Sequence, residues 1–173
     1  MTYHTSESTF DLIIVGSGPG GYVAAIRGAQ LGLRVAIVES QDVGGVCLNW
    51  GCIPTKALLR TSELYHLTQH LAPYGLELEG RVTFDMKKIV QRSRNVAAQL
   101  ASGIQHLLKK NKIQVIQGHG RLGRKNKDML LLIVEKSDKT TKTFGAKAII
   151  LATGARPRTL KDMEPDNKIF LSW

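Results

Sequence analysis

A short apolar run, Phe10–Val15, leads without a gap into Gly16-Ser17-Gly18-Pro19-Gly20-Gly21. No other feature constrains the fold so tightly. An apolar run of this length, stopped abruptly by turn residues, reads as a strand buried on both faces of a parallel sheet. Tyr22–Leu31 then reads as a helix that ends at Gly32. Arg34–Val38 is a second apolar strand, closed by Glu39. Strand, tight turn, helix and strand within about thirty residues make a βαβ unit of mononucleotide-binding size. The expected fold class is therefore α/β, with a parallel sheet and covering helices.

Gly16, Gly18 and Gly21 fit G-x-G-x-x-G in the context that gives the pattern meaning: after a strand, opening a helix, with an acid at the end of the next strand. Gly16 permits the tight turn. Gly18 lets a pyrophosphate approach the backbone, and Gly21 lets helix and strand pack closely. The helix N-terminus adds N–H donors and partial positive charge. Glu39 can accept hydrogen bonds from ribose hydroxyls. The pattern alone does not separate FAD from NAD, and glycines that serve packing only remain the alternative.

The rest of the chain continues the α/β reading. Residues 41–50 form an irregular stretch holding Gly44-Gly45. A helix is expected from Gly51 to about His70, with Pro54 tolerated in its first turn, and Pro73-Tyr74-Gly75 is a turn. Phe84–Lys110 carries Ile89, Val96, Leu100, Ile104 and Leu107 at helical spacing. Ile113–Gln117, Leu130–Val134, Thr141–Phe144 and Ala148–Leu151 read as strands. The second and third of these form a hairpin across Lys136–Lys139. With 173 residues, 43% of them apolar, the chain can bury one domain-sized core. No apolar run reaches the roughly eighteen residues of a membrane span. Met1–Thr9 carries neither a signal core nor an arginine-rich presequence.

Charge is uneven. Residues 81–127 hold twelve basic side chains and one acidic, whereas residues 1–80 hold four and seven. Such a band could face nucleic acid, a membrane or an acidic protein. Phe84 is its single Phe, Tyr or Trp, so no series of aromatics interleaves with it for base stacking, and a solvated face is expected, with no nucleic-acid or membrane partner.

Two cysteines are too few for a secreted disulfide scaffold or a four-cysteine zinc site. The expected compartment is the cytosol, where a close pair is more often catalytic or metal-binding than structural. Cys47 and Cys52 stand five positions apart, and Cys52 falls at the expected helix start, where the helix dipole favours a thiolate. Lys56 is one turn further on the same face. Two inert thiols, or a static clip, are the competing readings. Cys47, Cys52, His66 and His70 also approach a two-cysteine, two-histidine zinc spacing. A single helix from Cys52 would, however, put His66 about 21 Å away at 1.5 Å per residue, whereas zinc ligands lie about 2–2.3 Å from one ion. No metal site is expected.

The segment Cys47-Leu48-Asn49-Trp50-Gly51-Cys52-Ile53-Pro54-Thr55-Lys56-Ala57-Leu58-Leu59 resembles the redox-active disulfide segment of the pyridine nucleotide–disulfide oxidoreductases, in its lipoamide branch. Leu48 and Ile53 stand where glutathione and mercuric reductases usually have Val. Leu151-Ala152-Thr153-Gly154-Ala155-Arg156-Pro157 resembles the family's second flavin-contacting turn. Gly118-His119-Gly120 resembles its loop beside the adenosine half of FAD.

The resemblance covers residues 10–173 and implies the N-terminal part of a Rossmann-like FAD-binding domain, with an added β-meander and a flexible lead at residues 1–9. It further implies that Gly16, Gly18, Gly21, Glu39, Gly44, Gly45, Cys47, Lys56, Gly120, Thr153, Gly154 and Ala155 border the flavin nucleotide. A Cys47–Cys52 disulfide would carry electrons, with Cys47 meeting the substrate thiol, Cys52 beside the flavin, and Lys56 holding positive charge near the ring. The implied reaction is dihydrolipoamide oxidation through FAD to NAD. The implied partners are a lipoyl carrier, a second copy in a homodimer, and a 2-oxo acid dehydrogenase or glycine cleavage complex. Family members continue into an NAD-binding domain and an interface domain with a His–Glu pair. Taken alone, the chain is expected to be silent, its final Ile169–Trp173 an interrupted strand. The alternatives are a glutathione- or mercuric-type reductase, or a basic binding module on a degenerate nucleotide fold.

Overall fold

The computed structural model describes residues 9–125, 128–156 and 158. Six strands form one sheet: β1 (Thr9–Val15), β2 (Val35–Glu39), β3 (Gln114–Gln117), β4 (His119–Leu122), β5 (Leu130–Glu135) and β6 (Thr141–Leu151), in the order β3-β2-β1-β6-β5-β4. β3, β2, β1 and β6 run parallel, while β5 and β4 are antiparallel additions. Among the described residues four α-helices lie between β1 and β3: α1 (Pro19–Gln30) after β1, and α2 (Gly45–Asn49), α3 (Cys52–Thr68) and α4 (Met86–Lys110) after β2. This is a Rossmann-like α/β fold with a β4-β5-β6 meander, as the sequence implies.

Alternation along the central strands fills two cores. Leu12 and Ile14 of β1, with Val35 and Ile37 of β2, face Ala25 of α1 and Leu108 of α4. Ile13 and Val15, with Ala36 and Val38, face the other way, toward Leu132 and Val134 of β5 and Phe144 of β6. Both faces are thus covered, which is why these strands read as continuous apolar runs.

Several boundaries move. Thr9, expected to end a flexible lead, belongs to β1 and pairs with Gly145, while residues 1–8 lie outside the described residues. The two strands expected at Thr141–Phe144 and Ala148–Leu151 are one. The first half of β6 pairs antiparallel with β5 and the second half parallel with β1, and Gly145 and Ala146 serve both neighbours. A change of partner in mid-strand leaves no mark in hydrophobic periodicity. α1 starts at Pro19, three residues before the expected start, because Pro is accepted in a first turn. The stretch 41–50 contains α2, and His119–Leu122, read as loop, is a strand.

α4 also turns differently from its apolar stripe. Its buried line is Ser93, Ala97, Ala101 and Leu108, while Leu100 and Leu107 are exposed. Small side chains allow α4 to lie close against α3, and that packing overrides the preference of larger residues for burial. Ile169–Trp173 lies outside the described residues, as does Pro157. Among the described residues no helix is long and apolar enough to cross a membrane.

Candidate active site: a nucleotide cradle joined to a cysteine pair

The carboxyl ends of β1, β2 and β6 meet at one side of the sheet, where ligands of open α/β sheets bind. The Gly16 N–H donates to the Val38 carbonyl (2.7 Å), and the Ala152 N–H donates to the Val15 carbonyl (2.8 Å). The turn after β6 is thereby seated on the turn after β1. Gly16 has φ +99°, and a Cβ there would collide with the Ala152 carbonyl; one on Gly21 would collide with the Gly16 carbonyl. Both glycines are required by the chain's own atoms. Gly18 is different: a Cβ there would meet nothing within 4 Å. It sits at the N-cap of α1, where no side chain caps the helix; Pro19 has no N–H and the Gly21 and Tyr22 N–H groups donate to the Gly18 carbonyl (2.8 and 3.0 Å), which leaves Gly20 as the remaining first-turn donor.

Glu39 closes β2 and is buried. Its Oε2 accepts from the Ser17 N–H (2.9 Å) and the Ser17 hydroxyl (2.6 Å), and its Oε1 accepts from the Gln41 N–H (2.9 Å). Burial pushes its pKa up, but the hydrogen bonds from Ser17 and Gln41 outweigh this and hold the carboxyl below its ordinary value. Much of the acid's capacity is thus spent bracing the cradle, a role the sequence does not announce. The agent is Ser17, which is fully buried and also receives the Gly44 N–H on both its hydroxyl (3.2 Å) and its carbonyl (3.1 Å). Ser17 was no candidate from sequence. A hydroxyl between two cradle glycines, with an acid at the next strand end, is the signal that could have found it.

Through Ser17 the cradle is tied to the cysteine segment. Gly44-Gly45 packs on it so closely that a Cβ on Gly45 would lie 2.9 Å from the Gly18 Cα. Asn49 braces the same loop, its Nδ2 donating to the carbonyls of Gly45 (2.9 Å) and Val43 (3.2 Å). Cys47 lies in α2, and Cys52 is the first residue of α3. Both are free thiols, Cys52 exposed and Cys47 half-buried. Burial first, then the hydrogen bond and charge of Cys52, push the Cys47 thiol above its ordinary 9.0, while the Lys56 charge opposes this.

Lys56 is exposed and opens a shallow groove of about 570 Å³ along α3, shared with Leu59, Arg60, Ser62, Glu63 and His66. His66 stays near the far end of the same continuous helix, stacked on His70 at 4.2 Å. On the opposite side of the cradle, the Gly118 N–H donates to the Glu39 carbonyl (2.8 Å), and Gly120 packs on Val15 and Val38. Thr153, Gly154 and Ala155 are exposed just past Ala152. One site therefore gathers the cradle, the β6 turn, Gly118 with the start of β4, and the cysteine pair.

The sequence profile of the pyridine nucleotide-disulphide oxidoreductases matches residues 10–171. The chain belongs to this family. Among family members, it is 55% identical over 159 residues to a dihydrolipoyl dehydrogenase of Zymomonas mobilis, covering 92% of this chain and 33% of that one. A dihydrolipoyl dehydrogenase of Rhizobium etli is 49% identical over 179 residues, covering 95% and 36%. The chain thus spans about a third of the length of these relatives. The crystal structure of LpdA from Mycobacterium tuberculosis superposes with a TM-score of 0.80 over 92% of this chain and 35% of that one; at 24% identity, it supports the fold.

Proposed function

We propose that these residues form the flavin-nucleotide and disulfide portion of a dihydrolipoamide-oxidising enzyme. The observation that carries the reading is the physical junction of cradle and cysteines. Gly44 donates to Ser17, and Gly45 abuts Gly18, so a molecule on the cradle would extend toward α2 and α3. The cradle suits a pyrophosphate, with the positive N-terminal end of the twelve-residue α1, the Gly20 N–H in its first turn and clear space for a Cβ at Gly18. FAD would be held there, its adenosine side against Glu39 and Gly120 and its far side toward Thr153, Gly154, Ala155 and the cysteines. When bound, FAD supplies acceptance of an electron pair and its delivery to NAD as hydride.

The chain's own part is disulfide exchange. With the pair oxidised, one thiolate of dihydrolipoamide attacks the Cys47 sulfur, and Cys52 leaves as a thiolate. The second substrate thiol then displaces Cys47 from the mixed disulfide, releasing lipoamide and leaving both cysteines reduced. Lys56 holds positive charge near the pair while these thiolates exist. Assignment of Cys47 as the attacked sulfur rests on the resemblance, since Cys52 is the more exposed in this structure.

Lipoamide on a carrier domain, a second copy, and a 2-oxo acid dehydrogenase or glycine cleavage complex are the partners this reading brings, in a reducing compartment such as the cytosol. The NAD site and the thiol base are expected from sequence of the kind that fills the remaining two thirds of the relatives. The test is an assay of these 173 residues with dihydrolipoamide and NAD, alone and with that remainder supplied as a second chain. Turnover only on recombination is expected. Turnover with glutathione disulfide and none with lipoamide would favour a glutathione-type reductase, and colourless protein that binds DNA in a salt-dependent way would favour a basic binding module.

A further inference from the structure

We propose that Arg92 and Arg94 of α4 are positioning residues for the cysteine pair, clamping backbone carbonyls on either side of Cys52. The Arg94 guanidinium donates to the carbonyl of Asn49, the last residue of α2 (3.3 Å), and that of Arg92 donates to the carbonyl of Ala57, in the early part of α3 (3.0 Å). The segment between these anchors is Trp50–Thr55 and Lys56, with Cys52 in it; Cys47 lies two residues before the first anchor.

Helix geometry explains how one element reaches both. Successive residues on a helix are about 100° apart, so Arg92 and Arg94 flank Ser93. Ser93 is buried and its hydroxyl is turned back onto the Val90 carbonyl (2.7 Å). Ser93 faces inward and takes nothing from its neighbours, while the two arginines reach past it, one to α3 and one to α2. Ala97 and Ala101 continue the buried line and keep α4 close enough for the reach.

The function of such a clamp follows from the pair's chemistry. A disulfide needs its Cβ atoms within about 3.5–4.5 Å, yet Cys47 and Cys52 belong to different helices joined by the Trp50-Gly51 corner. Gly51 is the N-cap of α3, and no side chain caps it. Whatever holds the end of α2 against the start of α3 sets how readily one sulfur finds the other. The clamp rests on the reading of the cysteines as a redox pair, and its test separates the two.

Purified protein is equilibrated in mixtures of glutathione and glutathione disulfide, quenched in acid, and the thiols are counted by alkylation and mass. The chain has two cysteines, so the count is unambiguous. In the reaction, Cys47 or Cys52 attacks glutathione disulfide and releases one glutathione. The other cysteine then displaces the second glutathione, closing the Cys47–Cys52 bond; both cysteine protons end on the released thiols. Arg92→Gln with Arg94→Gln is expected to lower the closing constant about tenfold. The mixed disulfide with one glutathione should accumulate in protein that still unfolds cooperatively in urea, which sets the effect apart from general loss of structure. Arg92→Lys with Arg94→Lys, which keeps charge but not the planar fork, should lose about threefold, and Lys109→Gln nothing.

A double glutamine variant that closes as wild type does would overturn the clamp. If that variant does not fold, the lysine pair decides, and a wild-type constant there overturns the proposal. Wild-type protein that forms no internal disulfide in any mixture would instead remove the redox reading itself.

Discussion

The cradle and the cysteine segment adjoin each other but are held by different means. The cradle is a backbone object. Strand ends hydrogen-bond one another, Gly16 and Gly21 are demanded by carbonyls within the chain, and one buried hydroxyl locks the loop to Glu39. The cysteine segment is a side-chain object. Asn49 braces α2 from within, and two exposed arginines that reach back across 35 and 45 positions hold α3 and α2. The first cannot change without refolding; the second can be loosened by degrees. The proposed function, a nucleotide held in one pose beside a sulfur pair that cycles between two states, would use both.

The comparison breaks most visibly at the glycines. Gly21→Val puts side-chain atoms into the Gly16 carbonyl and should cost more than about 3 kcal/mol, read as loss of cooperative unfolding in urea. At Gly18 a Cβ meets nothing within 4 Å, and Gly18→Val should leave stability within about 0.5 kcal/mol. It should abolish retention of flavin, measured as absorbance that elutes with the protein. Flavin retained at wild-type levels by Gly18→Val would show that the pyrophosphate does not lie where proposed.

This difference also separates what could be read in the sequence from what could not. The βαβ unit, the cradle and the cysteine helix are local, each set by residues within a turn or two, so spacing sufficed. The hairpin at Lys136–Lys139 was equally legible, because the Lys136 N–H to Thr140 carbonyl bond (2.9 Å) closes a short loop. What failed was everything set by a distant neighbour: the union of two strand segments in β6, the role of Ser17, and the face that α4 buries. Arg92 and Arg94 looked like two more charges in a basic band. Their worth depends on carbonyls whose position only the assembled fold supplies.

Ala97 tests the close approach on which the second region depends. It is 4% exposed on the face that α4 turns inward. Ala97→Leu adds methylenes to a filled contact and should cost about 1–3 kcal/mol. If α4 holds the cysteine segment, the variant should also react faster with an alkylating agent at Cys47, as the half-buried thiol gains access.

Glu39→Gln probes the other region through pH. The folded carboxyl titrates below its ordinary 4.5, so its contribution is complete above that value and is lost as pH falls toward the folded pKa. The glutamine variant should be about 1–2 kcal/mol less stable at pH 7, and the gap to wild type should shrink in urea titrations below about pH 4.5. A gap that stays constant down to pH 3 would mean that Glu39 does not gain stability from its charge.

The smallest expected effect concerns the two sulfurs themselves. The Cys47 thiol is pushed up by burial, then by the hydrogen bond and charge of Cys52, with Lys56 pulling the other way. A raised thiol pKa means less thiolate, and so slower alkylation, at any pH below it. Cys52→Ala removes both upward pushes of the Cys52 side chain and leaves in place the burial and the backbone hydrogen bond at residue 52 that favours the thiolate. The midpoint of the Cys47 alkylation rate against pH should therefore fall, without reaching that of an exposed thiol. Lys56→Met should move the same midpoint upward, because it removes the charge that favours the thiolate. Opposite shifts from the two variants would place Cys47 under the control of both neighbours. A midpoint that neither variant moves would mean that burial alone governs Cys47, and that the pair is not coupled before a disulfide forms.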